Sequence, residues 1–572
     1  MDVVERLREV YRQGLIAHKQ LNGQNYLMDH DALKLSVRIR SFPNWINDRH
    51  SDDKRKEWRR WGKEYGLTDD DITYVFDELD YYGRVNKPEI GLEVGCFDMV
   101  WVANALISDD LYRRLDRQLG WVKRDLFRDM HRSSRFYDGS CKLDVIGMLK
   151  DMLDYDKTPA ILHDTKITSL ESAIASIGRG VRFSSTKQWE QMYRDMQFEY
   201  EIDWMYLDSC VGWKSTARLP SEVDIDKDGN ATFVTYTGSV HPVKHRDLYV
   251  SLGQVVTKVV CLFEEVLTDM VHPPRLRMFR DPMYGVDLRP EVPELDKITD
   301  DFVDAYARWY HTTKFVPYPR DGPFEMPSRP QSPLSLKGRR LQVVVEAAEY
   351  TIPVTKGSQA FRLTQKNREF NSPNERIIAA AELFYGFDNV SRVNQEYQLF
   401  LDIDMHSYNH EFDGMFDVAY PVFSGTGYDE YDENADYGDI EDRMDIDLSL
   451  EPPRVIGTQE IADGMCVCYS ALYSSVCNVQ LVDEKRPGTI KVLELYLVDP
   501  ATRVVSTAMV PPQQHSEWLL DSVCGNAPFS RLPVLIINRI RLFLTTWREP
   551  EHNTSIYDGM DIMNNALPDP LR

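Results

Sequence analysis

Two imidazoles and a carboxylate at close spacing can hold Fe(II) or Zn(II), because nitrogen and oxygen donors of that kind suit both ions. The densest such group in this chain is Asp402, Asp404, His406, His410, Glu411 and Asp413. His406 and His410 would share a helix face, and Asp404 and His406 would share a strand face. Asp404, His406 and His410 are therefore the candidate metal ligands. The plainer reading, a surface loop, is the favoured one, since ionisable residues are common in loops.

Other groups imitate ion sites less well. Asp224, Asp226 and Asp228 with Gly229 follow the start of a calcium loop, but the twelfth position is Thr235 rather than the bidentate Glu that Ca²⁺ needs. The flanks alternate apolar and polar residues, which predicts a β-hairpin around Asp228-Gly229. Asp432, Asn434 and Asp436 repeat the pattern with Gly438 one place late and no closing Glu. Cys466 and Cys468 would share one strand face, with Cys477 nearby, yet no fourth ligand has zinc-site spacing, so they read as core thiols. No glycine-rich dinucleotide loop, Walker A loop, HExxH or GxSxG is present, which argues against nucleotide enzymes and common hydrolases.

The chain has 572 residues and a formal net charge of -24, with 42% hydrophobic and 11% aromatic residues. That is ample material for a core and argues against global disorder. So acidic a surface repels phosphate backbones and anionic lipid, so neither nucleic acid nor membrane is an expected partner. The one basic stretch, Lys54 to Lys63, is flanked by acids and reads as a helix surface. There is no apolar run of spanning length, and the opening residues MDVVERLREVYRQG are charged throughout, which predicts a helix rather than a leader. Eight scattered cysteines fit reduced thiols, so the expected compartment is the cytoplasm, with the nucleus also open.

The elements that must carry these residues change character along the chain. Residues 1–200 read as mostly helical, with helices at about 52–63, from Thr68 as N-cap, at 109–130, 143–154, 168–177 and 187–200. Residues 201–335 hold the hairpin, a long helix from about Lys244 to Met270, a helix at 298–311 and a Pro-rich connection. Residues 336–525 read as the β core, with strands at 340–352, 375–385, 396–404, 464–472, 489–498 and 503–510. An acidic loop at 428–447 interrupts it, and residues 526–572 supply a closing helix and tail.

Several segments together carry a family resemblance. They are LPSEVDIDKDG with Thr235, Tyr236, His241-Pro242 and His245; Gly338-Arg339 with Leu341 to Val345; Asn374-Glu375-Arg376-Ile377 with Asn389; and Val498-Asp499-Pro500 through Gln514. On these the chain resembles a fungal domain-of-unknown-function family, number 4246, which is similar to Fe(II)/2-oxoglutarate dioxygenases. The resemblance implies an α+β fold, with a helical N-terminal region packed on a C-terminal double-stranded β-helix, or jelly-roll, core. It also implies positions for two His, one carboxylate and an Arg that grips 2-oxoglutarate.

Each of those positions departs from the pattern. Arg368 stands at the first His, Phe370 at the carboxylate, Ser475 at the second His, and Ile490 at the Arg, beside a retained Lys491. A guanidinium stays protonated and offers no lone pair, and Phe offers none either. The expectation is a pseudoenzyme with no cofactor. It would bind a small anionic ligand over a cationic floor of Arg368 and Lys491, or bind a protein partner. The alternative is an oxidoreductase of fungal metabolism that uses Fe(II) and 2-oxoglutarate with Asp404, His406 and His410 as atypical ligands. A cofactor-free reaction is the third possibility, with no residue group arguing for it.

Overall fold

A computed structural model describes residues 30–42, 44–96, 99–130, 142–147, 152–154, 160–162, 166–177, 181–182, 216–238, 240–271, 324, 326, 329–330, 332–354, 361–363, 374–399, 457–471, 473–512, 531–533, 535–536 and 539. The helices are α1 (His30–Arg40), α2 (Trp45–Asp48), α3 (Asp52–Glu64), α4 (Asp69–Val85), α5 (Asp109–Met130), α6 (Leu170–Ala175) and α7 (Arg246–Val271). Thr68, read from the sequence as an N-cap, caps its helix. The Thr68 hydroxyl accepts from the Asp71 amide while the Asp71 carboxylate accepts from the Thr68 amide, a reciprocal box that starts α4. Three aspartates in its first turn favour the positive end of the helix dipole.

The strands run β1 (Leu92–Val94), β2 (Val100–Ala103), β3 (Lys142–Ile146), β4 (Leu153–Asp154), β5 (Ala160–Ile161), β6 (Val181–Arg182), β7 (Thr216–Ala217), β8 (Ser221–Ile225) and β9 (Ala231–Phe233). They continue as β10 (Arg340–Ile352), β11 (Phe361–Leu363), β12 (Ile377–Asp388), β13 (Val390–Leu399), β14 (Gly457–Ile461), β15 (Cys466–Ser470), β16 (Tyr473–Leu481) and β17 (Gly488–Val498). The large sheet has the order β1-β2-β15-β12-β17-β10-β8-β9, with β3 also paired to β10. The small sheet has the order β11-β16-β13-β14. All these pairings are antiparallel. The fold is α+β, and among the described residues neither sheet closes on itself.

The last eight strands pair as a nest. β10 bonds β17, β11 bonds β16, β12 bonds β15 and β13 bonds β14. That is one long hairpin whose two arms step together between the large and the small sheet. Two cores follow from the strand alternation. Leu341, Val343, Leu383, Leu493 and Leu495 face the helices, where Leu252, Val259 and Phe263 of α7 cover them. Val344, Phe384, Tyr469, Val492 and Tyr496 face the other way and meet Val393, Tyr397, Tyr473 and Val479 of the small sheet.

Three sequence expectations need correction. Of the expected helix at 143–154, the described residues 143–146 and 153–154 are strand. Lys142–Ile146 pairs with β10 as a strand, where edge pairing and the β-branched Val145 and Ile146 outweigh helical spacing. Residues 503–510 form no strand, because their polar backbone goes elsewhere: the Val504 amide bonds the Gln342 side chain and the Thr507 amide bonds the Pro220 carbonyl. The region before residue 200 is not only helical, since β1, β2 and β3 belong to the large sheet. The hairpin forms as expected, with Asp226 Oδ1 accepting from the Asp228 and Asn230 amides. The segments 187–200 and 298–311 and the acidic loop 428–447 lie outside the described residues.

Candidate functional site between the two sheets

Alternation along β12, β15 and β17 turns Glu382, Tyr469 and Glu494 toward the small sheet, and alternation along β13 and β16 turns Gln395, Tyr397 and Ser475 toward the large one. Ser475 and Tyr397 are direct cross-strand partners, as are Cys477 and Gln395. The Tyr469 hydroxyl donates to Glu382 Oε1 at 2.7 Å and lies 3.0 Å from Ser475 Oγ. A phenol has one proton to give, so the serine hydroxyl is the donor of that second bond. Gln395 Nε2 donates to Glu382 Oε2 at 2.7 Å. The chain of bonds Ser475 to Tyr469 to Glu382, closed by Gln395, is buried throughout.

Two atoms in this group have no hydrogen-bond partner among the described residues, the Tyr397 hydroxyl and Gln395 Oε1. Both side chains are fully buried. Burial pushes the Tyr397 phenol well above its ordinary range, with Cys96, Tyr469 and Glu382 adding to the effect, so it keeps its proton. The Tyr397 and Tyr469 rings meet edge to face at 5.2 Å.

A row of carboxylates crosses the inner face of the large sheet. Glu346 of β10, Glu494 of β17 and Glu382 of β12 are in register on adjacent strands. Like charges so placed repel, and their bonding answers that. Arg218 donates from Nε to Glu346 at 3.0 Å and from a terminal nitrogen to Glu375 at 3.0 Å, with Tyr496 beneath the guanidinium at 5.5 Å. Tyr496 donates to Glu494 at 2.8 Å.

The other positions named from the sequence separate. Ile490 is fully buried between the sheets. Lys491 turns to the opposite face and donates to Asp116 of α5 at 2.6 Å. The expected cationic floor therefore loses Lys491, because strand alternation puts neighbours 490 and 491 on opposite faces. Arg368, Phe370, Asp404, His406 and His410 lie outside the described residues. Among the described residues no group of three His, Cys, Asp or Glu could hold a metal ion.

The segments that carried the resemblance prove to be joints. Glu222 accepts from Arg503 at 2.6 Å, Ser506 at 2.7 Å and Gln342 at 3.0 Å, tying the stretch after β17 to β8 and β10. Asn389 sits at φ 56 and bonds both edges of the turn at Asp483 and Arg486. His241 Nδ1 accepts from the Val243 and Lys244 amides ahead of α7, and His245 lies 3.0 Å from Asp125. Sequence reasoning missed Glu382, Gln395, Tyr397, Tyr469 and Glu494. The signal available was the polar residue at every second place in apolar strands, as in VLELY around Glu494.

A family profile described as "Protein of unknown function (DUF4246)" matches residues 69–521. No curated protein and no solved structure matches the chain.

Proposed function

The chain belongs to the DUF4246 family, and on that premise we propose that it is a non-catalytic member with a double-stranded β-helix core that acts by binding. The nested pairing of eight strands over two facing sheets supports the core assignment, since a jelly roll is such a double sheet. The observation that carries the functional reading is the bonding of Ser475. Where the resemblance calls for an imidazole, the side chain is a hydroxyl held in the Tyr469–Glu382–Gln395 network. An alcohol at that place is a poor ligand for Fe(II) beside imidazole and carboxylate. Ile490, at the position expected to grip 2-oxoglutarate, offers no hydrogen bond. The described residues do not fit Fe(II) and 2-oxoglutarate.

Purification without chelator, elemental analysis and titration with Fe(II) and 2-oxoglutarate test this reading. The expected result is no stoichiometric metal and no saturable binding of either. Near-equimolar iron with 2-oxoglutarate binding would overturn it and favour the oxidoreductase, with Asp404, His406 and His410 the first residues to substitute.

A further inference from the structure

A ligand-binding role needs a place with room and a matching charge, and the space between the sheets matches an anion poorly. Glu346, Glu494 and Glu382 line one wall there, and Lys491 faces away. A different cleft, of about 880 Å³, opens outside the large sheet between α5, α6, α7 and the β8–β9 hairpin. That volume suits a small organic molecule.

Four residues spaced by four along α7, Arg246, Val250, Gln254 and Lys258, form one exposed stripe that lines it. Leu111, Leu170 and Phe233 line it with apolar surface, as does Val250, which is 56% exposed. Its charged lining consists of four cations, Arg114, Arg246, Lys258 and Arg340, and two carboxylates, Glu171 and Asp224. Both carboxylates are already engaged: Asp224 takes a two-pronged bond from Arg340 at 2.6 and 2.8 Å, and Glu171 lies 3.3 Å from Arg246. Arg114 donates to Gln254 at 3.1 Å, and its Nε lies 3.1 Å from Asp110 as an ion pair. The Lys258 ammonium has no ion-pair partner among the described residues. Three of the four cations thus stand beside a carboxylate, and the Lys258 ammonium is the charge left to meet an anion.

We propose that this cleft binds a small organic anion with an apolar body, its acid group at Lys258 and Arg114 and its hydrocarbon over Val250 and Phe233. The proposal rests on the binding reading above and moves the anion from the space between the sheets to the outer cleft.

Calorimetric titration of the full chain with 4-phenylbutyrate and with 4-phenylbutylamine tests it, since the two share an apolar body and differ in charge. Saturable binding of the acid and none of the amine is expected. Lys258→Glu, an exposed change that leaves the fold intact, should weaken the acid at least about tenfold, the scale of one like-charge contact. Equal or tighter binding of the amine, or acid binding indifferent to Lys258→Glu, would overturn the cleft. Acid binding abolished by a Ser475→Trp chain that still unfolds cooperatively, and untouched by Lys258→Glu, would return the ligand to the space between the sheets, overturning the cleft while leaving the binding reading standing. Iron content, measured separately, bears only on the latter.

Discussion

The two tyrosines of the inner site make opposite contributions although they touch. Tyr469 gives its proton to Glu382 and accepts from Ser475. Removing that hydroxyl takes a donor from a buried carboxylate and one acceptor from Ser475. Tyr469→Phe should therefore destabilise the fold by about 1–3 kcal/mol in equilibrium denaturant unfolding. Tyr397 has a buried hydroxyl that bonds nothing among the described residues. Its removal relieves a desolvated polar atom at no cost in bonding, so Tyr397→Phe should leave stability unchanged or raise it. A loss of more than about 1 kcal/mol in Tyr397→Phe would mean that the hydroxyl has a partner in solution, such as the ordered water that unsatisfied buried groups often hold.

At the scale of elements, α7 is tied to the sheet by charge as well as by its apolar face. Asp269 accepts from the Trp101 indole of β2 at 2.6 Å and from Arg329 at 2.7 Å, and Arg329 also reaches Glu265. Burial pushes the Asp269 carboxyl up to about 6, against the pull of Arg329 and Trp101. An unfolded Asp titrates near about 3.9. The folded state thus holds the proton more tightly, and this group's contribution is fully present below about 4 and is lost as pH rises to about 6. Stability measured from pH 4 to 7 should contain that falling component, and Asp269→Asn should remove it. An unchanged pH profile in Asp269→Asn would assign the slope to other groups. The Glu222 joint makes a second prediction at this scale. Glu222→Ala should speed hydrogen exchange at the Val504 and Thr507 amides and leave β12 protected, because Glu222 bonds Arg503 and Ser506 of that stretch and also Gln342, which holds the Val504 amide.

The same scale shows what the sequence made legible. Long apolar stretches with clean punctuation, such as β10, β17 and α7, read correctly because many residues vote for one period. β12 read as a strand despite Ala379, Ala380 and Ala381, whose helical propensity loses to burial on both faces. β16 was missed because YSSVCNVQL alternates with small inward residues, Ser475 and Cys477, that look polar or neutral. β1, β2 and β3 were missed because they are short and because β2 and β3 join the sheet through strands far along the chain. The network around Glu382 was illegible for the same reason: its members come from four strands that only the nested pairing brings together.

That nesting has a consequence for the whole molecule. The strands at 340–352 and 488–498 pair with each other, yet both edges of their sheet are completed from earlier sequence, by β8 and β9 on one side and β2 and β1 on the other. The outer face of the sheet is apolar along its length and is covered by α7 and the N-terminal helices rather than by water. A fragment of residues 336–525 would expose that face and leave two unpaired edges, the condition that drives aggregation. It should fail to give a soluble monomer with a cooperative thermal transition in gel filtration and circular dichroism. A fragment beginning near residue 216 regains β8, β9 and α7 but still lacks β2 beside β15, and should be less stable than the full chain. Cooperative unfolding of the shorter piece would show that the nested hairpin is a folding unit by itself, and that the helical layer is an addition to a core already stable without it.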